Sequence, residues 1–157
     1  MIEPSFAKKA SRESLERLHL QENPEVASAL AKAEAGKPLL VMRLDAPGKG
    51  YYLVPWKREA RIVLLVQIDA QDGIMSSMVI PKRPLDDITI SPEQAKAAVS
   101  SQLGMPVTGE PVLVWQPSRE SSSPFQPFYQ VPVPGGNVYV STDSAVYSSL
   151  TPFGKGG

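Results

Sequence analysis

Apolar positions recur at helical spacing in three stretches of the chain and as short strand-like runs in eight others. The first helical stretch covers residues 5–20, with Phe6, Ala10, Leu15 and Leu18 on its partly buried side. The other two share a grammar. Residues 23–38 read NPEVASALAKAEAGKP and residues 91–106 read SPEQAKAAVSSQLGMP. Val26, Ala29, Leu30 and Ala33 mark the inner face of one, and Ala95, Ala98, Val99 and Leu103 that of the other. Asn23 and Ser91 are capping residues, whose side-chain oxygen accepts an orphaned backbone N–H. Pro24 and Pro92 follow at the first helical position, where a missing N–H costs nothing. Gly36 and Gly104 suit the left-handed residue that ends a helix, and Pro38 and Pro106 stop it two residues on.

These two stretches read as one repeat. At a constant offset of 68, Pro24/Pro92, Glu25/Glu93, Ala27/Ala95, Ala29/Ala97, Gly36/Gly104 and Pro38/Pro106 are identical. The likeness continues downstream. Residues 51–55 (YYLVP) match 128–132 (FYQVP) at offset 77, and residues 66–78 match 138–150 at offset 72. The second copy gains residues around 117–127 and loses some where Gly135-Gly136 replaces the turn at 57–61. The strand-like runs are 39–44, 51–56, 61–68 and 74–80 in the first copy, and 112–116, 128–133, 137–142 and 145–150 in the second. Asp72-Gly73 and Gly135-Gly136 are hairpin signals. Short strands joined by hairpins predict antiparallel sheets, and one helix per sheet predicts an α+β fold.

The order of these signals resembles the PepSY domain family. Pro92-Glu93-Gln94-Ala95, Gly104, Tyr129-Gln130-Val131 and residues 138–143 carry it in the second copy. Tyr52-Leu53-Val54 and residues 66–73 carry it in the first. The second copy departs at Ala145, where the family has glycine after the Asp143 position. The resemblance implies a helix against an antiparallel sheet and a non-catalytic role, since such domains inhibit as protease propeptides or occur in cell-envelope proteins. The expected organisation is an N-terminal helix at 1–22, a first repeat of one helix and a three- or four-stranded antiparallel sheet at 23–80, a linker at 81–90, an equivalent second repeat at 91–150 and a flexible tail at 151–157.

Composition narrows the chemistry. The 157 residues include no Cys and one His, which excludes disulfide frameworks, thiol nucleophiles and Cys- or His-rich metal sites. The 16 basic and 16 acidic side chains balance, which argues against nucleic acid as the partner. Residues 1–90 hold most of the charge, and residues 91–157 are charge-poor. No apolar run approaches the ~20 residues of a membrane span. No export signal follows Met1, so the expected location is the cytoplasm.

Five candidate features follow. The lone His19 reads as a helix-surface residue, because acid–base work needs an orienting partner. Asp69 and Asp72 lack the alternating oxygens of a calcium loop, and turn chemistry explains Asp72. Arg43, Lys49, Lys57, Arg58 and Arg61 lie near Tyr51, Tyr52 and Trp56. This secondary patch (Tyr51, Trp56, Lys57, Arg58, Arg61) suits a single-stranded nucleic acid on paper, but cations beside turns also keep a sheet edge soluble, and Trp56 is expected to pack on the helix. The insertion at 117–127, rich in Pro and Ser, reads as a recognition loop, with Trp115, Phe125, Phe128 and Tyr129 as partner-binding residues. The Gly156-Gly157 end reads as a disordered terminus. The sequence thus predicts no catalytic residues, no metal and no cofactor. It predicts a module that binds or inhibits another protein, using sheet edges or the 117–128 loop. The alternative is a small-molecule or lipid-binding scaffold with a groove between the repeats.

Overall fold

The computed structural model describes residues 1–153. Three α-helices and nine strands form among them, a mixed α+β fold. The chain divides into two compact units, Met1–Leu40 with Gly48–Ile88, and Val41–Pro47 with Thr89 onward.

In the first unit, helix α1 (Pro4–Arg17) buries Ala7, Ala10, Ser11, Ser14 and Leu15. Phe6 and Leu18 are only about half covered, 49% and 52% exposed, and the Phe6 ring lies over Gly73. The helix stops before residue 20 because His19 turns left-handed (φ 54°). A short 3-10 turn, Leu20–Glu22, leads to α2 (Pro24–Leu30). Asn23 Oδ1 accepts the Glu25 and Val26 N–H groups, as its capping role requires.

Helix α2 is half its expected length. Glu34–Ala35 form strand β1, which pairs with Lys57 and Trp56 of β3 (Gly50–Arg58). Gly36 is therefore not a helix stop; its N–H donates to the Pro55 carbonyl at 2.6 Å. The last carbonyls of α2 are answered from the sheet instead. The Arg58 guanidinium donates to the Ser28 and Ala31 carbonyls. Pairing with the sheet outcompetes an alanine-rich continuation whose intrinsic stability is small.

Strand β3 pairs antiparallel with β4 (Arg61–Asp69) through a two-residue turn. Both turn residues, Glu59 and Ala60, are left-handed (φ 53° and 66°). That is the twist a tight hairpin needs, here without glycine. Strand β4 then pairs with β5 (Met75–Val79). The loop at 70–74 is longer than the two-residue turn Asp72-Gly73 suggested. Asp69 Oδ1 holds it by accepting the Gln71 and Asp72 N–H groups, and Gly73 supplies the left-handed residue. In β5, Ser77 faces Gln67 while Met75 faces Ile68, so Ser76 is an extra residue, a bulge. The bulge lets Met75 and Met78, three apart, join the same core. That core packs α1 against Tyr52, Val54 and Trp56 of β3 and Leu64, Val66 and Ile68 of β4. Beyond Val79, residues 80–84 leave the ladder, and Leu85 rejoins it as a bridge to Ile62. The sheet order is β5-β4-β3-β1.

The second unit contains α3 (Pro92–Leu103), with the Ser91/Gln94 capping box in place and Gly104 left-handed at its end (φ 64°). Ala95, Ala98 and Val99 are buried, whereas Leu103 is 41% exposed rather than on the inner face. Strands β6 (Val112–Trp115), β7 (Phe128–Val133), β8 (Gly136–Val140) and β9 (Val146–Tyr147) form an antiparallel run. The expected all-antiparallel sheet of three or four strands is exceeded. Met42 and Arg43, from strand β2 (Leu39–Arg43), pair in parallel with Val114 and Trp115. The β7–β8 turn is Pro134-Gly135 rather than Gly135-Gly136, since Val133 faces Gly136. Proline fixes its φ and Gly135 supplies the positive one (85°).

The two hairpins carry the same register. Tyr52↔Ile68, Leu53↔Gln67, Val54↔Val66 and Pro55↔Leu65 in the first unit correspond pair by pair to Tyr129↔Val140, Gln130↔Tyr139, Val131↔Val138 and Pro132↔Asn137 in the second. Each strand proline is crossed alike. Gly36 N–H donates to the Pro55 carbonyl and Thr108 N–H to that of Pro132. A Cβ on Gly36 or Gly109 would stand 3.3 or 3.2 Å from the proline ring.

Candidate binding surfaces

The 117–127 insertion is folded. Ser118 and Ser121 are buried, and Ser121 Oγ donates within reach of the Ser123 and Gln126 carbonyls. Ser118 N–H donates to the Ser121 carbonyl. Glu120 fastens the loop to the C-terminal segment: its carboxylate accepts the Thr151 N–H and hydroxyl, at 3.0 and 2.8 Å. The Thr151 N–H holds the Glu120 carboxyl below its usual range, with the Thr151 hydroxyl helping. Ser118 also bridges to Pro152.

The predicted partner-binding residues separate. Phe128 is wholly buried, edge-on to Tyr147 with ring centroids 6.3 Å apart. Trp115 is buried, with the Arg43 guanidinium 5.2 Å from its ring centroid. Tyr129 is buried, and burial pushes its phenol above the usual range, as does the nearby Glu93 charge to a smaller degree. These three side chains hold the unit together and offer no surface to a partner. Phe125 alone stays half-exposed, its N–H donating to Ser123 Oγ. Beside the loop lies a polar cleft of about 220 Å³ lined by Glu120, Ser121, Gln126, Ser141, Asp143 and Tyr147. Ser141 Oγ donates to Asp143, which holds that carboxyl below its ordinary range.

The basic and aromatic patch does not assemble. Tyr51 and Trp56 are buried, and the Trp56 Nε1–H donates to Ser11 Oγ at 2.8 Å inside the core. Lys57 and Arg58 are half-buried and Arg61 is exposed, 3.7 Å from Asp86. Cations outside and rings inside leave nothing for a base to stack on. Arg58 instead lines a cleft of about 200 Å³ with Glu25, Ser28, Ala29, Val63 and Pro84, beneath the 80–84 excursion. Sequence reasoning missed this cleft, because the excursion is visible only once Val79 and Leu85 are seen on one strand edge.

His19 is not on a helix surface but at the left-handed stop after α1, its Nδ1 3.6 Å from Glu22. Among the described residues no three His, Asp or Glu side chains gather as a metal site. No helix among them is long and apolar enough to cross a membrane. Gly156 and Gly157 lie outside the described residues. No protein-family model matches this chain, nor does any curated protein or solved structure.

Proposed function

We propose that the chain is a non-catalytic, cytoplasmic protein-binding or inhibitory module of two PepSY-like units, and that its partner contacts the 117–127 loop. The shared hairpin register and the shared crossing of Pro55 and Pro132 support the reading of two related units. The observation that carries the binding role is the loop's fixed shape. Ser121, Ser118 and Glu120 set its backbone before any partner arrives, which reduces the ordering cost of binding. Half-exposed Phe125 supplies apolar area on that ordered frame.

The test compares immobilised wild type, Phe125→Ala and a control in the first unit, Ala60→Gly, in capture from the source cell followed by cross-linking. A partner held by wild type and control but reduced about tenfold or more by Phe125→Ala is the expected result. Equal capture by all three rules out the loop. Phe128→Ala cannot serve here, because emptying that core site costs about 3–5 kcal/mol of stability.

A further inference from the structure

We propose that the outer edge of β5 takes a second copy of this chain, by antiparallel pairing of β5 with itself. This goes beyond the loop reading and does not depend on it. Strand β5 ends the first unit's sheet order and, among the described residues, pairs with β4 alone. Exposed edges are ordinarily blunted by charge, proline or shortness. Residues 74–79 read Ile-Met-Ser-Ser-Met-Val, with neither charge nor proline. The strand is five residues long, whereas the edge strand β9 of the second unit has two.

Three observations select a second copy as the occupant. The segment reads nearly the same in both directions. A two-fold axis between Ser76 and Ser77 sets Ile74 opposite Val79, Met75 opposite Met78 and Ser76 opposite Ser77, so apolar meets apolar and hydroxyl meets hydroxyl. The flanks are complementary. Exposed Asp72 precedes the strand and exposed Lys82 and Arg83 follow it, so antiparallel pairing brings opposite charges together at both ends. Parallel pairing would bring like charges together. Finally, the bulge at Ser76 would throw a straight foreign strand out of register. In a two-fold copy the two extra residues lie one on each side of the axis, each opposite the other strand's Ser77, so the pair as a whole stays symmetric.

Pairing over residues 74–79 is a small interface, and the dimer is accordingly weak. Sedimentation velocity on the full chain, from about 10 µM to 1 mM, covers the range of weak association. Wild type passes from monomer to dimer over the range. Ser76→Lys and Ser76→Glu, each alone, set like charges across the axis and weaken association about tenfold. An equimolar mixture of the two variants restores it, with near-UV circular dichroism unchanged throughout. A wild type still monomeric at the top of the range, a dimer indifferent to Ser76, or a mixture that stays monomeric overturns the proposal. Phe125→Ala dimerises like wild type whether or not the loop binds a partner, so the two readings fail separately.

Discussion

Glu59 and Ala60 hold the β3–β4 turn in a conformation that costs a non-glycine residue about 1–2 kcal/mol. The hairpin ladder on either side over-determines them, since eight residue pairs of β3 and β4 face one another. Ala60→Gly removes the Cβ conflict but gives the unfolded chain more freedom to lose. The balance is a gain of about 0.5–1 kcal/mol, read as a rise of about 1–4 °C in thermal midpoint. Gly135→Ala is the mirror experiment. Gly135 is left-handed and has nothing within 4 Å of an added Cβ, so its loss of about 1 kcal/mol reports backbone strain alone. The sequence pointed to a turn at 57–61 but not to its type, because Glu-Ala is not a turn dipeptide. The long ladders, not local preference, choose it.

At the scale of elements, the strands were the most legible part. Hairpin signals and apolar runs located eight of the nine, with ends shifted by a few residues. Helix α3 was legible because cap, proline, apolar face and glycine stop all agree. Helix α2 carried the same grammar and still stopped early. Its competitor is a pairing with Lys57 and Trp56, more than twenty residues away, which local grammar does not encode. The 117–127 loop was legible as an insertion but not as a folded one. Phe128 and Tyr129 were assigned to it although the offset of 77 equates them with Tyr51 and Tyr52, in a strand paired on both sides. That equivalence was the available signal for their burial.

The loop's tie to Thr151 depends on the charge of the Glu120 carboxylate. The folded Glu120 carboxyl titrates below its unfolded counterpart, which lies at about 4.3. Its contribution is therefore fully present above that pH and is lost as pH falls through the lower, folded value. The Thr151 amide resonance is expected to titrate with an apparent midpoint below about 4.3. In Glu120→Gln that titration disappears. A Thr151 amide that stays still from neutral pH down through the acid range would detach Glu120 from it.

For the molecule as a whole, the units are not successive stretches of chain. Val41–Pro47 belongs to the second unit although the first continues at Gly48. Leu44 N–H donates to the Trp115 carbonyl at 2.9 Å, extending the β2–β6 pairing. A fragment beginning at Thr89 consequently lacks a strand and leaves Trp115 uncovered. It is expected to melt lower than the second unit in the intact chain and to be stabilised by a peptide of residues 39–47 added in excess. A fragment as stable as the parent, and blind to the peptide, would mean that the parallel pair contributes nothing. The sequence placed residues 39–44 in a strand, but it could not say which unit owns that strand, since its partners Val114 and Trp115 lie far along the chain.

That ownership gives synthesis a schedule. Met42 leaves the ribosome roughly 70 residues before Val114, a delay on the order of 4–14 s at typical elongation rates. For that interval the side of β2 destined for β6 has no mate, while its Leu-Leu-Val-Met run is already made. Slower translation between the two lengthens this exposure. Synonymous codons across residues 89–111 therefore bear on yield without altering a single amino acid.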